Sequence, residues 1–335
     1  MRHVLLSLVL MVLAAPAAAF EIEDQTRFGA AGGVERLRII STADIGFFAP
    51  MVSSYLEANP ETEIEYVVVS STELMRALQI ENETFDLAIS SAMDLQTKLA
   101  NDGMAQRHSS SATQSLPDWA VWNDMLFAFT QEPAAIVISK VGFSDLPVPK
   151  DRHDLIDLLR QHPEVFRGRV GTYDVRSSGL GYLFATQDTR ASETYWRLTE
   201  VMGALDVQLY CCSSDMIDAV AKGELLIAYN VLGSYALNRE AQDAFSIVLP
   251  TDFTTVMLRT VLIPTTASSP GLARDFIDHL LLQAHGAQPD VVAAELEQIE
   301  TSLNRIPIGP GLMVYLDQLK KRSFLSEWSR AILQD

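Results

Sequence analysis

Cysteine is almost absent from this chain. There are two in 335 residues, side by side as Cys211 and Cys212. That excludes a disulfide framework, and no second cysteine cluster or histidine pair has zinc-ligand spacing. A trans peptide fixes adjacent Cα atoms about 3.8 Å apart, below the ~4.4–6.8 Å window of most disulfides. Two thiols packed as small apolar groups are therefore the expectation, with a strained vicinal disulfide as the alternative. Histidine is scarce too: six residues, scattered, with His279 and His285 poorly spaced to share a metal. The sequence also lacks a G-x-S-x-G elbow, a P-loop, a G-x-G-x-x-G turn and an H-E-x-x-H pair. No nucleophile–base pair announces itself, so no catalytic residue, cofactor or metal is expected, and a secreted enzyme is left as a rival reading.

Positive charge is in short supply. Lys and Arg total 25 against 43 Asp and Glu, for a net charge of −18. Such a surface repels nucleic acid and anionic lipid, and no nucleic-acid partner is expected. A local cleft of backbone N–H groups can still hold an anion against that field. Long hydrophobic runs are missing as well. The one compact apolar stretch, 4–13, is shorter than the ~20 residues a spanning helix needs. It follows Arg2 and His3 and precedes an alanine-rich A-x-A tract, the pattern of a secretory signal cleaved after Ala19. With no cysteine behind it to carry a lipid, export to the periplasm as a monomer is the expectation.

What is present is alternation. Apolar strands at 37–40, 64–69 and 85–89 each lead into a helix, and strands after helices imply a parallel sheet. A second α/β unit begins near 132 and ends near 250. The strand 256–263 returns to the first sheet, and helices close the chain, including 291–302 and 311–333. The expected division is signal peptide 1–19, a first lobe of 20–130 plus 251–335, and a second lobe of 131–250.

Each of the first three strands ends in small hydroxyls: Ser41-Thr42, Ser70-Ser71-Thr72 and Ser90-Ser91. Capping alone explains any one of them, because Ser and Thr are favoured N-caps. Three on one sheet edge point to a site, since helix N-termini offer free N–H groups and partial positive charge. In the second unit, 171–182 reads GTYDVRSSGLGY. Ser177, Ser178 and Gly179 open a helix there, with Arg176 on the shoulder, either free to neutralise an anion or paired to Asp174. Tyr229, Asn230 and Tyr235 follow another strand and suit a cleft wall or, for Tyr229, a core position.

The apolar N-terminus, the order of the two units and three passages resemble the family 1 extracellular solute-binding proteins. The passages are 127–140 (FAFTQEPAAIVISK), 171–182 and 223–235 (GELLIAYNVLGSY). Within that family the chain is most similar to the phosphoglycerate-regulatory and ferric-iron branches. The resemblance implies a two-lobed, type II periplasmic binding fold with a central cleft and hinge. It implies a small-molecule ligand handed to an ABC transporter permease, or reported to a sensor histidine kinase, at the inner membrane. The iron branch carries two adjacent tyrosines where this chain has Gly233-Ser234-Tyr235, whereas its anion cradle matches Ser178-Gly179. The expected ligand is therefore a phosphorylated or carboxylate anion rather than Fe³⁺. It would be held by Ser41, Thr42, Ser71, Ser90 and Ser91 from one lobe. Arg176, Ser177, Ser178, Gly179, Tyr229, Asn230 and Tyr235 would hold it from the other.

Overall fold

A computed structural model describes residues 20–237, 239, 242–284 and 303–334. The expected signal segment, the helix expected at 291–302 and His285 lie outside the described residues.

Two seven-stranded sheets carry the two lobes. In the first, β1 (Asp24–Gly29), β2 (Glu35–Ser41), β3 (Thr62–Val68) and β4 (Leu87–Ser90) lie in the order β1-β3-β2-β4. The parallel β3-β2-β4 core is the expected one. Strand β1 falls in a stretch whose glycines read as irregular lead-in. It pairs antiparallel along the edge of β3, from Asp24 opposite Val68 to Gly29 opposite Glu63. Phe28 anchors it by meeting the Tyr66 ring edge-on at 6.4 Å. Short strands β5 (Val121–Trp122) and β6 (Leu126–Ala128) complete the far side.

The second sheet is built on β7 (Glu132–Ser139), which is buried along its whole length. Around it lie β8 (Val170–Tyr173), β9 (Gln208–Tyr210), β10 (Ile227–Leu232), β11 (Phe245–Val248) and β12 (Thr254–Met257). β8 is parallel to β9 and β10, whereas β7 runs against β10, β11 and β12. The sheets are thus mixed rather than purely parallel.

The stretch expected as one strand at 256–263 is two. β12 belongs to the second sheet and β13 (Thr260–Leu262) to the first, between β4 and β6. Leu258 and Arg259 make the return crossing, beside the outward crossing at 129–131. The two cross side by side: Met257 sits opposite Glu132, Thr260 opposite Ala128, and Phe129 N donates to Arg259 O at 3.1 Å. A paired, two-stranded hinge bends without breaking its ladder. Its side-chain lock is a buried ion pair. Arg259 donates from Nε to Glu132 Oε1 at 2.8 Å and from Nη2 to Oε2 at 3.1 Å, with the two side chains 0% and 2% exposed. Thr130 and Ser234 hydroxyls donate to the same carboxylate.

The C-terminal part departs from the expected division. Residues 260–284 do pack on the first lobe, through β13 and the helix Pro270–Ala284. Strand β14 (Leu303–Arg305), however, pairs with β12 in the second sheet. The helix Gln318–Leu333 buries Phe324, Trp328 and Ile332 in the second lobe's core, beside Tyr195 and Leu198. Three large apolar side chains on one face find their complement there. The tail breaks at Asp317, whose carboxylate caps the helix by accepting from Leu319 N and Lys320 N.

Candidate functional site

Four helices point their N-termini at the cleft between the lobes. The first lobe supplies Ile45–Ala58, after N-cap Asp44, and Ser71–Gln79, after N-cap Ser70. The second supplies Gly179–Ala191, after Ser178, and Ser213–Ala221, after Cys212. Ser70 Oγ accepts from Glu73 N at 3.2 Å, and Ser178 Oγ from Gly181 N at 3.1 Å. These caps satisfy one donor each and leave other first-turn N–H groups free for a ligand.

The cleft is lined from the first lobe by Glu23, Thr42, Asp44, Ser70, Ser71 and Ser91. From the second it is lined by Tyr173, Ser177, Ser178, Cys211, Cys212, Ser213, Ser214 and Tyr235, with Val69, Leu180 and Leu232 as apolar contacts. The lobes touch. Ser214 Oγ donates to Asp44 Oδ2 at 2.7 Å, and Asp44 N donates to the Tyr235 hydroxyl at 3.2 Å. The Phe47 and Tyr235 rings stack at 5.2 Å. Gly179 lies so close to Ser71 that an added Cβ would stand 2.3 Å from Ser71 Oγ. This is a closed clamp.

Of the residues expected at the site, Thr42, Ser71, Ser91, Ser177, Ser178 and Tyr235 line the cleft. Gly179 sits at the point of lobe contact. Ser41 and Ser90 are buried behind it. Ser41 Oγ accepts from Ala43 N and from the Tyr66 hydroxyl, and Ser90 Oγ accepts from Ala92 N, so both serve the turn that shapes the edge. Arg176 is not in the cleft. It is exposed and clamps its own neighbour, Nε to Asp174 Oδ1 at 2.8 Å and Nη2 to Oδ2 at 2.6 Å. Burial works against Asp174's charge, but the Arg176 guanidinium outweighs it and holds the carboxyl below its usual range.

Tyr229 and Asn230 are also elsewhere. They were expected to follow a strand, but β10 runs through them to Leu232, so Tyr229 is mid-strand and faces the second lobe's interior. Its hydroxyl accepts from Arg152 Nε at 2.7 Å and donates to Asp188 Oδ2 at 3.1 Å. Asn230 Nδ2 donates to the same Asp188 oxygen at 2.8 Å, from a left-handed backbone (φ 63°) at the irregularity in β10. This buried cluster, with Thr255 and Asp252, fixes the lobe's interior rather than a ligand.

The sequence reading missed Glu23, Asp44 and Tyr173. Asp44 was findable, as an Asp directly before a helix start. Glu23 carried no local signal, because it reaches the cleft only through the pairing of β1 with β3. Its carboxyl is raised by burial, then by Asp44 and Asp215. Among the described residues lining the cleft there is no Lys, Arg or His. Any cradle for an anion is thus made of backbone N–H groups and hydroxyls, with carboxylates free to accept from hydroxyls. The cysteines correct the expectation of two thiols: Cys211 and Cys212 are bonded to each other. Asp215 lies near both sulfurs, but a disulfide has no thiolate to offer a metal.

The sequence profile described as bacterial extracellular solute-binding protein matches residues 37–293. The substrate-binding protein of an ABC transporter from Agrobacterium tumefaciens is similar at 32% identity and a TM-score of 0.86, over 92% of this chain and 98% of that one. AfuA from Actinobacillus pleuropneumoniae, with fructose 6-phosphate bound, shares the fold at 17% identity and a TM-score of 0.73 (89% and 99% covered). So does the apo ferric ion-binding protein A of Pasteurella haemolytica, at 17% and 0.68 (90% and 99%). Among curated proteins none matches.

Proposed function

The chain belongs to the bacterial extracellular solute-binding family, and from that premise we propose that it captures a small phosphorylated or carboxylate solute between its lobes. It works in the periplasm and hands the solute unchanged to an ABC transporter permease. The observation that carries the anion reading is the convergence of four helix N-termini, with their free N–H groups and hydroxyls, on one cleft. Aligned N–H groups favour an oxyanion without needing a cationic side chain. Glu23 and Asp44, on the same wall, suit hydroxyls on the rest of the ligand as acceptors. A phosphorylated polyol, the kind of ligand that AfuA holds, meets both halves.

Ferric ion is the poorer fit. Its capture by tyrosine needs phenolates, whereas the cleft tyrosines are buried and already hydrogen-bonded. Tyr173 meets Ser213 Oγ and Tyr235 accepts from Asp44 N. Burial pushes both pKa values up. Binding would act by favouring the closed arrangement over the open one.

Mass spectrometry of small molecules released on denaturing the purified protein tests this. Recovery of a phosphate ester or organic acid, chemically intact, is the expected result. A neutral or cationic solute, or bound iron, would overturn the anion reading. Release of chemically altered ligand would overturn the receptor reading.

A further inference from the structure

Cys211 and Cys212 line the cleft, Cys211 exposed and Cys212 half-buried. Helix capping does not explain them. Ser70 and Ser178 hold the N-cap position on two other cleft helices, and each accepts a backbone N–H. Cys212 holds the same position on Ser213–Ala221, and its side chain accepts none. It closes a ring with Cys211 instead.

That ring pins the backbone where β9 turns into the helix, immediately before two hydroxyls that assemble the clamp. Ser213 Oγ accepts from Leu232 N at 3.0 Å and meets the Tyr173 hydroxyl, tying the helix start to β8 and β10. Ser214 Oγ reaches across the cleft to Asp44. The sulfurs themselves are polarizable and apolar in a wall otherwise made largely of hydroxyls and carboxylates, so they suit a ligand's carbon-bound face.

We propose that the Cys211–Cys212 disulfide positions the second-lobe half of the binding site, so that capture requires the pair to be oxidised. The proposal rests on this cleft being the ligand site. The redox step is ordinary exchange. A thiolate of a dithiol attacks one sulfur, and its second thiol then displaces the mixed disulfide. Two electrons and two protons end on the cysteines as two thiols, and the reagent leaves as a cyclic disulfide.

The experiment uses the mature protein, oxidised and after dithiothreitol, with thiols counted by alkylation. Hydrogen exchange is followed at 44–48 and 213–216. Calorimetry uses inorganic phosphate and glucose 6-phosphate as probes. Reduction is expected to speed exchange in both segments. Affinity for whichever probe binds should fall about tenfold, the cost of roughly one charge-assisted hydrogen bond. Reoxidation should restore both. The Cys211→Ser/Cys212→Ser variant should match the reduced protein and ignore dithiothreitol, with circular dichroism confirming its fold. Unchanged exchange and affinity in the reduced protein and in this variant would overturn the proposal, as would free thiols in protein purified without reductant. If neither probe binds in either state, exchange alone decides the role of the disulfide, and the anion reading is decided by the released-ligand mass spectrometry.

Discussion

Arg176 and Arg259 show how much a single residue's worth depends on its surroundings. Arg176 looks like the anion's counter-charge in the sequence, yet it lies in solvent, clamped to Asp174. An exposed pair of this kind contributes about 0–1 kcal/mol. Arg176→Ala should therefore leave affinity for the copurified solute within about threefold by calorimetry. Arg259 gave no such signal and is fully buried with Glu132 at the hinge. Removing one partner strands the other's charge, at about 3–5 kcal/mol. Glu132→Ala should lower stability by that amount in urea denaturation. Legibility at this scale follows locality. Ser178 was readable because a cap bonds three residues ahead. Glu23 and Arg259 owe their positions to strands that pair across long stretches of chain, and Tyr229 was misplaced because β10 runs on through it to Leu232.

Among the elements, the helix starts at Ser71 and Gly179 matter most, because they meet when the clamp is shut. Gly179 has no side chain where a Cβ would stand 2.3 Å from Ser71 Oγ and 3.0 Å from Ser71 Cβ. The clash lies between the lobes rather than within one, so closure and folding should separate. Gly179→Ala is expected to keep its melting temperature within a few degrees while weakening ligand binding about tenfold or more, which parallel thermal and calorimetric titrations would read. The alternation of strands and helices was legible from hydrophobic period alone. The edge strand β1 was not, because its short polar sequence becomes a strand only against β3. The split of 256–263 was hidden for a related reason: both halves are apolar, and only the packing of two separate sheets places a crossing at Leu258 and Arg259.

For the molecule as a whole, one buried carboxyl ties stability to pH. Asp94, on the first lobe's helix Met93–Asn101, is 2% exposed and its Oδ1 lacks a hydrogen-bond partner. The second lobe's Lys321 is the nearby cation that acts on it. Burial is the largest cause that raises its pKa, from 3.8 to about 7, against backbone hydrogen bonds and Lys321 that lower it. The buried form therefore keeps its proton where the solvated form has lost it. Between about pH 4 and 7 the solvated state binds fewer protons, so the closed fold loses stability as pH rises through that window. Asp94→Asn should flatten this dependence, measured as melting temperature against pH. A dependence unchanged by the substitution would assign it to other groups.

Neither sheet is finished by a continuous piece of chain. The first waits for β13 at 260–262, and the second for β14 and the helix ending at Leu333. During synthesis, the chain must emerge past β13 before the first lobe can seal its core, and almost to Leu333 before the second can. The unsealed strands are exposed for correspondingly longer, which makes the interval before the C-terminus arrives the time of greatest exposure to aggregation.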